Sequence, residues 1–464
     1  MTSINTDIKA SNPLRHHEKK SERGSASYYL LLFYLVFVLL RFQEYMPALS
    51  GIPIMPALLI MAVMAWLSNK RSFVSPSQHK LMPLLLLSMT LSTAIEINGE
   101  YAMTVFAKFY PVVILYFLIV DAMDNNQKFR GIFKVMVFSA VIMALHGIQQ
   151  SIEGVGWTGM DTIRGRIRYI GIFADPNDMG LFFLTIIPML IYLMIRSNFI
   201  FRLVYLLALG IILYAVYLTE SRGTTLGIAA LVALLAARKF GLIISVGIAA
   251  AALVIIMGLN SRVAQIDPGE ASAKGRVDAW EEGYYMTRDN PIFGVGVGGF
   301  VIHHYRTAHN TWVLAMAELG IPGYFVWNSL MILSLIMVIR LAFFELTKAP
   351  PPSADKDNSN GNRHGNRHVT TKDLEDFNED KKLSITFLYC LSGFCLATFF
   401  LSRSYNIFLY IMYALIVAHY INMKLKWRDF PEVCLSQHWG KILIFTLGSV
   451  IGFYFLAMLL YALG

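Results

Sequence analysis

The sequence predicts an all-α, polytopic membrane protein, and three observations carry that expectation. Of its 464 residues, 56% are hydrophobic and only 15% charged, and the mean hydropathy of +0.54 is too high for an ordinary soluble surface. Apolar runs recur along the whole chain, most near the ~18 residues that cross a ~30 Å hydrocarbon core as a helix. The connections between these runs carry Lys and Arg in alternate loops, as cytoplasmic loops do.

The runs lie near 28–42, 50–67, 81–96, 102–121, 132–148, 179–195, 200–219, 223–237, 240–258, 311–342, 384–401, 404–423 and 441–463. They predict about 12–13 transmembrane helices. Residues 1–27 are polar, carry Lys9, Arg15, Lys19, Lys20 and Arg23, and are followed by an apolar run without a small-residue cleavage site. They read as the cytoplasmic tail of an uncleaved anchor. With that end inside, the inner loops carry Lys70 and Arg71, Lys128 and Arg130, Arg196 and Arg202, Arg238 and Lys239, then Lys424, Lys426 and Arg428. The net charge of +9 is thereby a topology signal rather than an affinity for nucleic acid.

A core over 28–343 includes two long outer loops, 149–178 and 259–310, and the helices of 383–464 follow it. Between them, 344–382 is a polar insert with a GNRH repeat at 361–368, expected to be a disordered cytoplasmic segment. His364 and His368 within it read as solvated side chains. Cys390 and Cys395 sit in one apolar run and Cys434 in a short loop, which argues for reduced thiols, not a disulfide framework.

What the positive-inside rule does not predict is a second set of basic residues on the outer side: Arg164, Arg166, Arg168, Arg222, Arg262, Lys274, Arg276, Arg288 and Arg306. A guanidinium fork bonds two phosphate oxygens at once, so such a cluster asks for an anionic partner. Pairing with Glu220, Asp267, Asp278, Glu281 or Glu282 is the plainer alternative for any one of them. In the 149–178 loop, RGRIRYIGIF alternates like a strand. Asp175-Pro176-Asn177-Asp178 precedes an apolar run, with Asn177 or Asp178 suited to cap its helix; capping is compatible with anion binding at the same helix start.

In the second loop, KGRVDAWEEGYYMTRDNP spaces Val277, Trp280 and Tyr284 as an amphipathic helix lying on the membrane surface. The glycines of PIFGVGVGGF lack the βαβ setting of a nucleotide fingerprint and read as a tight turn bringing Arg276 toward His309. Three elements then converge on the outer boundary: Glu220-Ser221-Arg222-Gly223, Gly275-Arg276 and His309-Asn310. Two arginines suit a diphosphate and its leaving-group charge, and a histidine suits proton removal from a hydroxyl, worth ~10²–10⁴-fold in rate. The bland alternative is that His309 and Asn310 only cap the next helix.

GRVDAW, NPIFGVGVGGF and AHNTWVLAMAELGIPG, with SRGTTLG before them and FADPNDMG earlier still, resemble the bacterial O-antigen ligase and polysaccharide polymerase family. The resemblance covers about residues 30 to 430, and 171 to 323 is its diagnostic part. LRFQEYMPAL at 40–49 looks like that family's first-helix exit, with Arg41 as a further anion contact.

The resemblance implies a GT-C-like, inverting, metal-independent glycosyltransferase without cofactor, on the periplasmic side of a bacterial inner membrane. The implied donor is a glycan on undecaprenyl diphosphate; the acceptor is lipid A core, a protein or another lipid-linked glycan. The family's two arginines map onto Arg222 and Arg276, gripping the diphosphate, and its histidine onto His309, activating the acceptor. Arg164, Arg166, Arg168, Asp175, Asn177, Asn310, Arg41 and Lys108 are the accompanying candidates for substrate contact; Lys108 alternatively snorkels. No metal-ligand spacing occurs in the outer loops. The chain departs from the family pattern in the moderate length of its loop before the histidine, its cytoplasmic insert and its outer C-terminus.

A secondary transporter or flippase of lipid-linked glycans is the competing class. Its expected signs, an internal repeat and charges at mid-membrane, are missing from the sequence.

Overall fold

The computed structural model describes residues 13–68, 75–241, 243–248, 250–251, 271–345, 371–427 and 430–463. The principal helices are α1 (Pro13–Leu40), α2 (Ile54–Leu67), α3 (Gln78–Glu96), α4 (Gly99–Ala122), α5 (Asn126–Glu153), α6 (Pro176–Ile195) and α7 (Phe199–Thr219). They continue with α8 (Arg222–Phe240), α9 (Ala271–Asp289), α10 (Thr311–Phe343), α11 (Thr371–Thr398), α12 (Ile407–Lys426) and α13 (Leu435–Leu463). Among the described residues there is no strand, and seven helices, α4 to α7, α10, α12 and α13, are long and apolar enough to cross a bilayer. Ala26–Leu40, Ile54–Leu67 and Arg222–Ala237 are shorter apolar helices. The chain is an all-α, multi-pass membrane protein. Residues 242, 249 and 252–258 of the run expected at 240–258, and Lys9, Lys70, Arg71, Arg262, Asp267, His364, His368 and Arg428, lie outside the described residues.

Helix starts are fixed by polar caps, because the first N–H groups of a helix lack internal acceptors. Asn98, Asn125, Asn198 and Asn406 each accept from a backbone N–H at 2.7, 3.0, 3.1 and 2.9 Å. Burial then sorts the helices: 83% of the apolar window of α6 and 78% of that of α12 lie inside the protein, against 22% for α7 and for α13. The first pair forms the centre, and the second pair is left to face lipid.

Two helices begin earlier than the sequence suggests. α1 starts at Pro13, within the expected tail, and α11 starts at Thr371, within the expected disordered insert. The α11 extension is held by tertiary partners, which is where most helical stability originates. Asp380 accepts from Asn126 Nδ2 at 2.6 Å and from Lys426 Nζ at 2.9 Å.

The alternation of RGRIRYIGIF does not become a strand. Residues 154–175 form a turn-rich loop with isolated bridges at Val155–Asp161 and Ile163–Arg166. It is drawn over the bundle end by the Tyr169 hydroxyl, which donates to Leu40 O at 2.9 Å, and by Ile167 N, which donates to Leu218 O at 3.3 Å.

The helix expected on the membrane surface faces protein instead. α9 packs against α10 and α13, and Trp280, 5% exposed, meets Phe399 and Phe453 with ring centroids 5.6 and 6.2 Å apart. Tyr284 meets Tyr454 at 4.3 Å, and the Tyr461 hydroxyl donates to Asp278. The last turns of α13 therefore lie at the end of the bundle that carries α9.

α10 is broken at Gly320, whose φ of 63° and ψ of −177° leave the helical region. The glycine-rich loop fills the break: Val295 N donates to Ala317 O at 2.9 Å and Ile321 N to Pro291 O at 2.8 Å. Gly298 N donates to Glu318 Oε1 at 2.8 Å. Gly294 is required here, since its φ is +68° and a Cβ would come within 2.4 Å of Ala317 O.

Candidate functional site

The histidine loop, 304–310, enters α10 under tight restraint. Asn310 caps the helix, its Oδ1 accepting from Trp312 N and Val313 N at 2.9 and 3.1 Å. On the other side, Trp280 Nε1 donates to Ala308 O at 3.0 Å. Between these fixed neighbours His309 adopts φ 48°, a left-handed conformation costing a residue with a Cβ about 1–2 kcal/mol. Such strain persists only where the surroundings over-determine it, and it concentrates at functional sites.

A second loop is laced to the first. Thr307 Oγ1 donates to Ser402 Oγ at 2.8 Å, Thr311 Oγ1 donates to Leu401 O at 2.7 Å and accepts from Arg403 N at 3.0 Å. Ser404 Oγ donates to Thr311 O at 2.6 Å. Arg403 is thereby held beside His309, while its Nε donates to Asp178 at the start of α6 and its Nη1 to Ser402 O at 2.7 Å.

Arg276 lies one helical turn before Trp280 on α9, so the indole bond to Ala308 O brings that turn of α9 alongside the histidine loop, where the Arg276 charge acts on His309. Gly275 has a local reason: a Cβ there would stand 2.5 Å from Arg306 Nη1, so the glycine lets Arg306 lie across the helix next to Arg276. Burial first, and then the positive charges of Arg276, Arg403 and Arg306, lower the His309 pKa to about 4, against the opposing effect of Asp175. At neutral pH the imidazole is uncharged and able to accept a proton.

The motifs around 175 and 221 meet through a close helix approach. Asp175, rather than Asn177 or Asp178, caps α6, accepting from Asn177 N at 2.7 Å. At Gly180 a Cβ would stand 2.3 Å from Thr224 Oγ1 and 3.4 Å from Ser221 Cβ. Ser221 caps α8, of which Arg222 is the first residue, and the preceding Glu220 has φ 46°. Arg166 bridges the two motifs, Nε donating to Thr219 O at 2.7 Å and Nη2 to Asn177 Oδ1 at 2.8 Å.

The residues singled out in the sequence thus fall into three groups. His309, Arg276, Asp175 and Asn310 come together, and Arg222, Arg166 and Asn177 gather at the adjoining starts of α6 and α8. The others stand apart. Arg168 pairs with Asp161, whose carboxyl it holds below the usual range, and Arg41 pairs with Glu44. Arg164 is exposed in a turn at φ 53°, and Lys108 lies on an exposed face of α4. Arg403 and its partner Asp178 were not legible as a unit. The one available signal was an arginine in SRSYN, the short outer connection between two apolar runs. Among the described residues no group of three or more His, Cys, Asp and Glu side chains is arranged to hold a metal.

A neutral imidazole ringed by guanidinium groups suits base catalysis beside an anion. Residues 207–328, which run from α7 through Arg222, Arg276 and His309 into α10, match the family model described as O-antigen ligase. No curated protein and no solved structure matches the chain.

Proposed function

We propose, from the match of residues 207–328 to the family model described as O-antigen ligase, that this chain is a glycosyltransferase of surface polysaccharide assembly. It takes a glycan from undecaprenyl diphosphate and joins it to an acceptor hydroxyl. His309 removes the hydroxyl proton, the acceptor oxygen bonds to the anomeric carbon, and the bond from that carbon to the diphosphate oxygen breaks. Attack from the face opposite the leaving group inverts the configuration. Arg276 and Arg222 carry the charge that builds on the departing diphosphate, which calls for no metal.

The observation that carries this reading is His309, uncharged, strained and surrounded by arginines inside the matched segment. The opposite end of the bundle holds Lys128, Arg130, Arg196, Arg202, Lys424 and Lys426. This charge supports that end facing the cytoplasm and the histidine facing the periplasm of a bacterial inner membrane.

The test is glycan transfer in proteoliposomes supplied with a lipid-linked oligosaccharide. His309→Ala at matched, folded protein is expected to lower transfer by about 10²–10⁴-fold. Undiminished transfer, or movement of the lipid-linked glycan between leaflets without transfer, would defeat the proposal.

A further inference from the structure

The ion pair between Arg403 and Asp178 joins the connection between α11 and α12 to the start of α6, 225 residues apart in sequence. It is not a surface pair: the side chains are 23% and 11% exposed. Four hydrogen bonds, Thr307 to Ser402, Thr311 to Leu401, Arg403 N to Thr311 and Ser404 to Thr311, fix the Arg403 backbone to the loop carrying His309. Its guanidinium is held by Asp178 and by Ser402 O.

Among the described residues, Nε serves Asp178 and one Nη1 hydrogen serves Ser402 O. A guanidinium has five N–H donors, so three remain. Three positive groups, Arg276, Arg306 and Arg403, act on His309 against the single carboxylate of Asp175. An anion entering between the arginines would meet the remaining donors of Arg403.

We infer that Arg403 is a further anion-binding arginine of this site, contacting an oxygen of the donor's diphosphate through N–H groups that Asp178 leaves unused, with Asp178 positioning it. The inference rests on the proposed donor and adds a contact from the C-terminal helices, outside the segment that carries Arg222, Arg276 and His309. Asp178 is a positioning residue: it touches the arginine and sets the plane of its fork.

Equilibrium binding to the full-length protein in detergent tests this without any transfer step. The probes are geranylgeranyl diphosphate, geranylgeranyl monophosphate and inorganic diphosphate. The unmodified protein is expected to prefer the prenyl diphosphate to the monophosphate. Arg403→Gln, which lowers the melting temperature by leaving Asp178 without its counter-charge, should weaken prenyl diphosphate binding at least tenfold in protein that remains monodisperse. Asp178→Asn should weaken it several-fold, because the fork is retained but not aimed.

If Arg403→Gln does not fold, Arg403→Lys decides: a point charge in place of a fork loses at least threefold, and equal affinity overturns the inference. A folded Arg403→Gln variant that binds within twofold of the unmodified protein also overturns it, leaving the ion pair a packing device, while Arg276→Gln still reports on the proposed donor site. If the unmodified protein binds no prenyl diphosphate, both the inference and the proposed donor fail. Tight binding of inorganic diphosphate alone, lost equally in Arg403→Gln, keeps the contact but assigns it to a soluble anion.

Discussion

Where α5 and α11 begin and α12 ends, Asp380 is surrounded by Asn126, Lys426 and Trp427, which donate to it at 2.6, 2.9 and 3.4 Å. Nearby, Lys128 pairs with Asp124 at 2.7 Å and Lys424 with Glu432 at 3.2 Å. At the opposite end of the bundle, Arg276, Arg306 and Arg403 press on one histidine with a single aspartate opposing them. Backbone geometry divides the same way. The non-glycine residues with positive φ among those described, Arg41, Arg164, Glu220 and His309, all lie at the second end. One end of the molecule surrounds a buried carboxylate with donors; at the other, three arginines act on one histidine held in a left-handed conformation. The difference marks which end is arranged for a ligand rather than for stability alone.

The most severe way to break this contrast is Arg276→Gln. If Arg276 serves a leaving diphosphate, transfer per folded molecule should fall by about 10²–10³-fold, in the range for removing one oxyanion donor. A variant that melts early but transfers normally per folded molecule would make the two ends alike.

The pH dependence sharpens the contrast. His309 must be neutral to act as a base, so activity is present above its pKa and lost as pH falls through it. For the free protein kcat/KM is expected to hold through pH 5 and break near the lowered value of about 4. A bound diphosphate offsets the repulsion from the arginines and raises the pKa in the complex, so the break in kcat should lie higher. A break in kcat/KM near the ordinary histidine value of about 6.5 would mean that neither burial nor the arginines act on His309.

Changes at the paired end should reach stability instead. Asp380→Ala strands buried donors from Asn126 and Trp427 and leaves Lys426 without this partner, for a loss of about 1–3 kcal/mol. Thermal unfolding in detergent measures it, while transfer per folded molecule stays within twofold. Asn310→Ala is the smallest test, removing a helix cap worth about 1 kcal/mol. It separates capping from chemistry: a pure cap loses melting temperature and retains rate, whereas a polar contact to substrate raises KM as well.

Much of the fold was legible because lipid imposes a length and an apolarity that local sequence cannot hide. The segments around Arg222, Arg276 and His309 were legible because glycines and polar caps mark them: Gly275 clears space for Arg306, and Asn310 closes the helix start. What stayed hidden depends on partners distant in sequence. Trp280 reads as a membrane anchor until α13 covers it, and Arg168 reads like Arg166 until the fold gives it Asp161. α11 reads as disordered from its charges until Asn126 and Lys426 meet Asp380. Arg403 pairs with Asp178 across 225 residues, a distance no motif spans.

The break at Gly320 separates α10 into pieces with different masters. The stretch from Thr311 to Leu319, which starts beside His309, is keyed to the glycine loop by Val295 and Gly298. The remainder belongs to the spanning bundle. Ile321, the first residue beyond the break, donates to Pro291 O of the same loop at 2.8 Å, so the loop clamps both pieces of α10 and holds the break at a fixed angle.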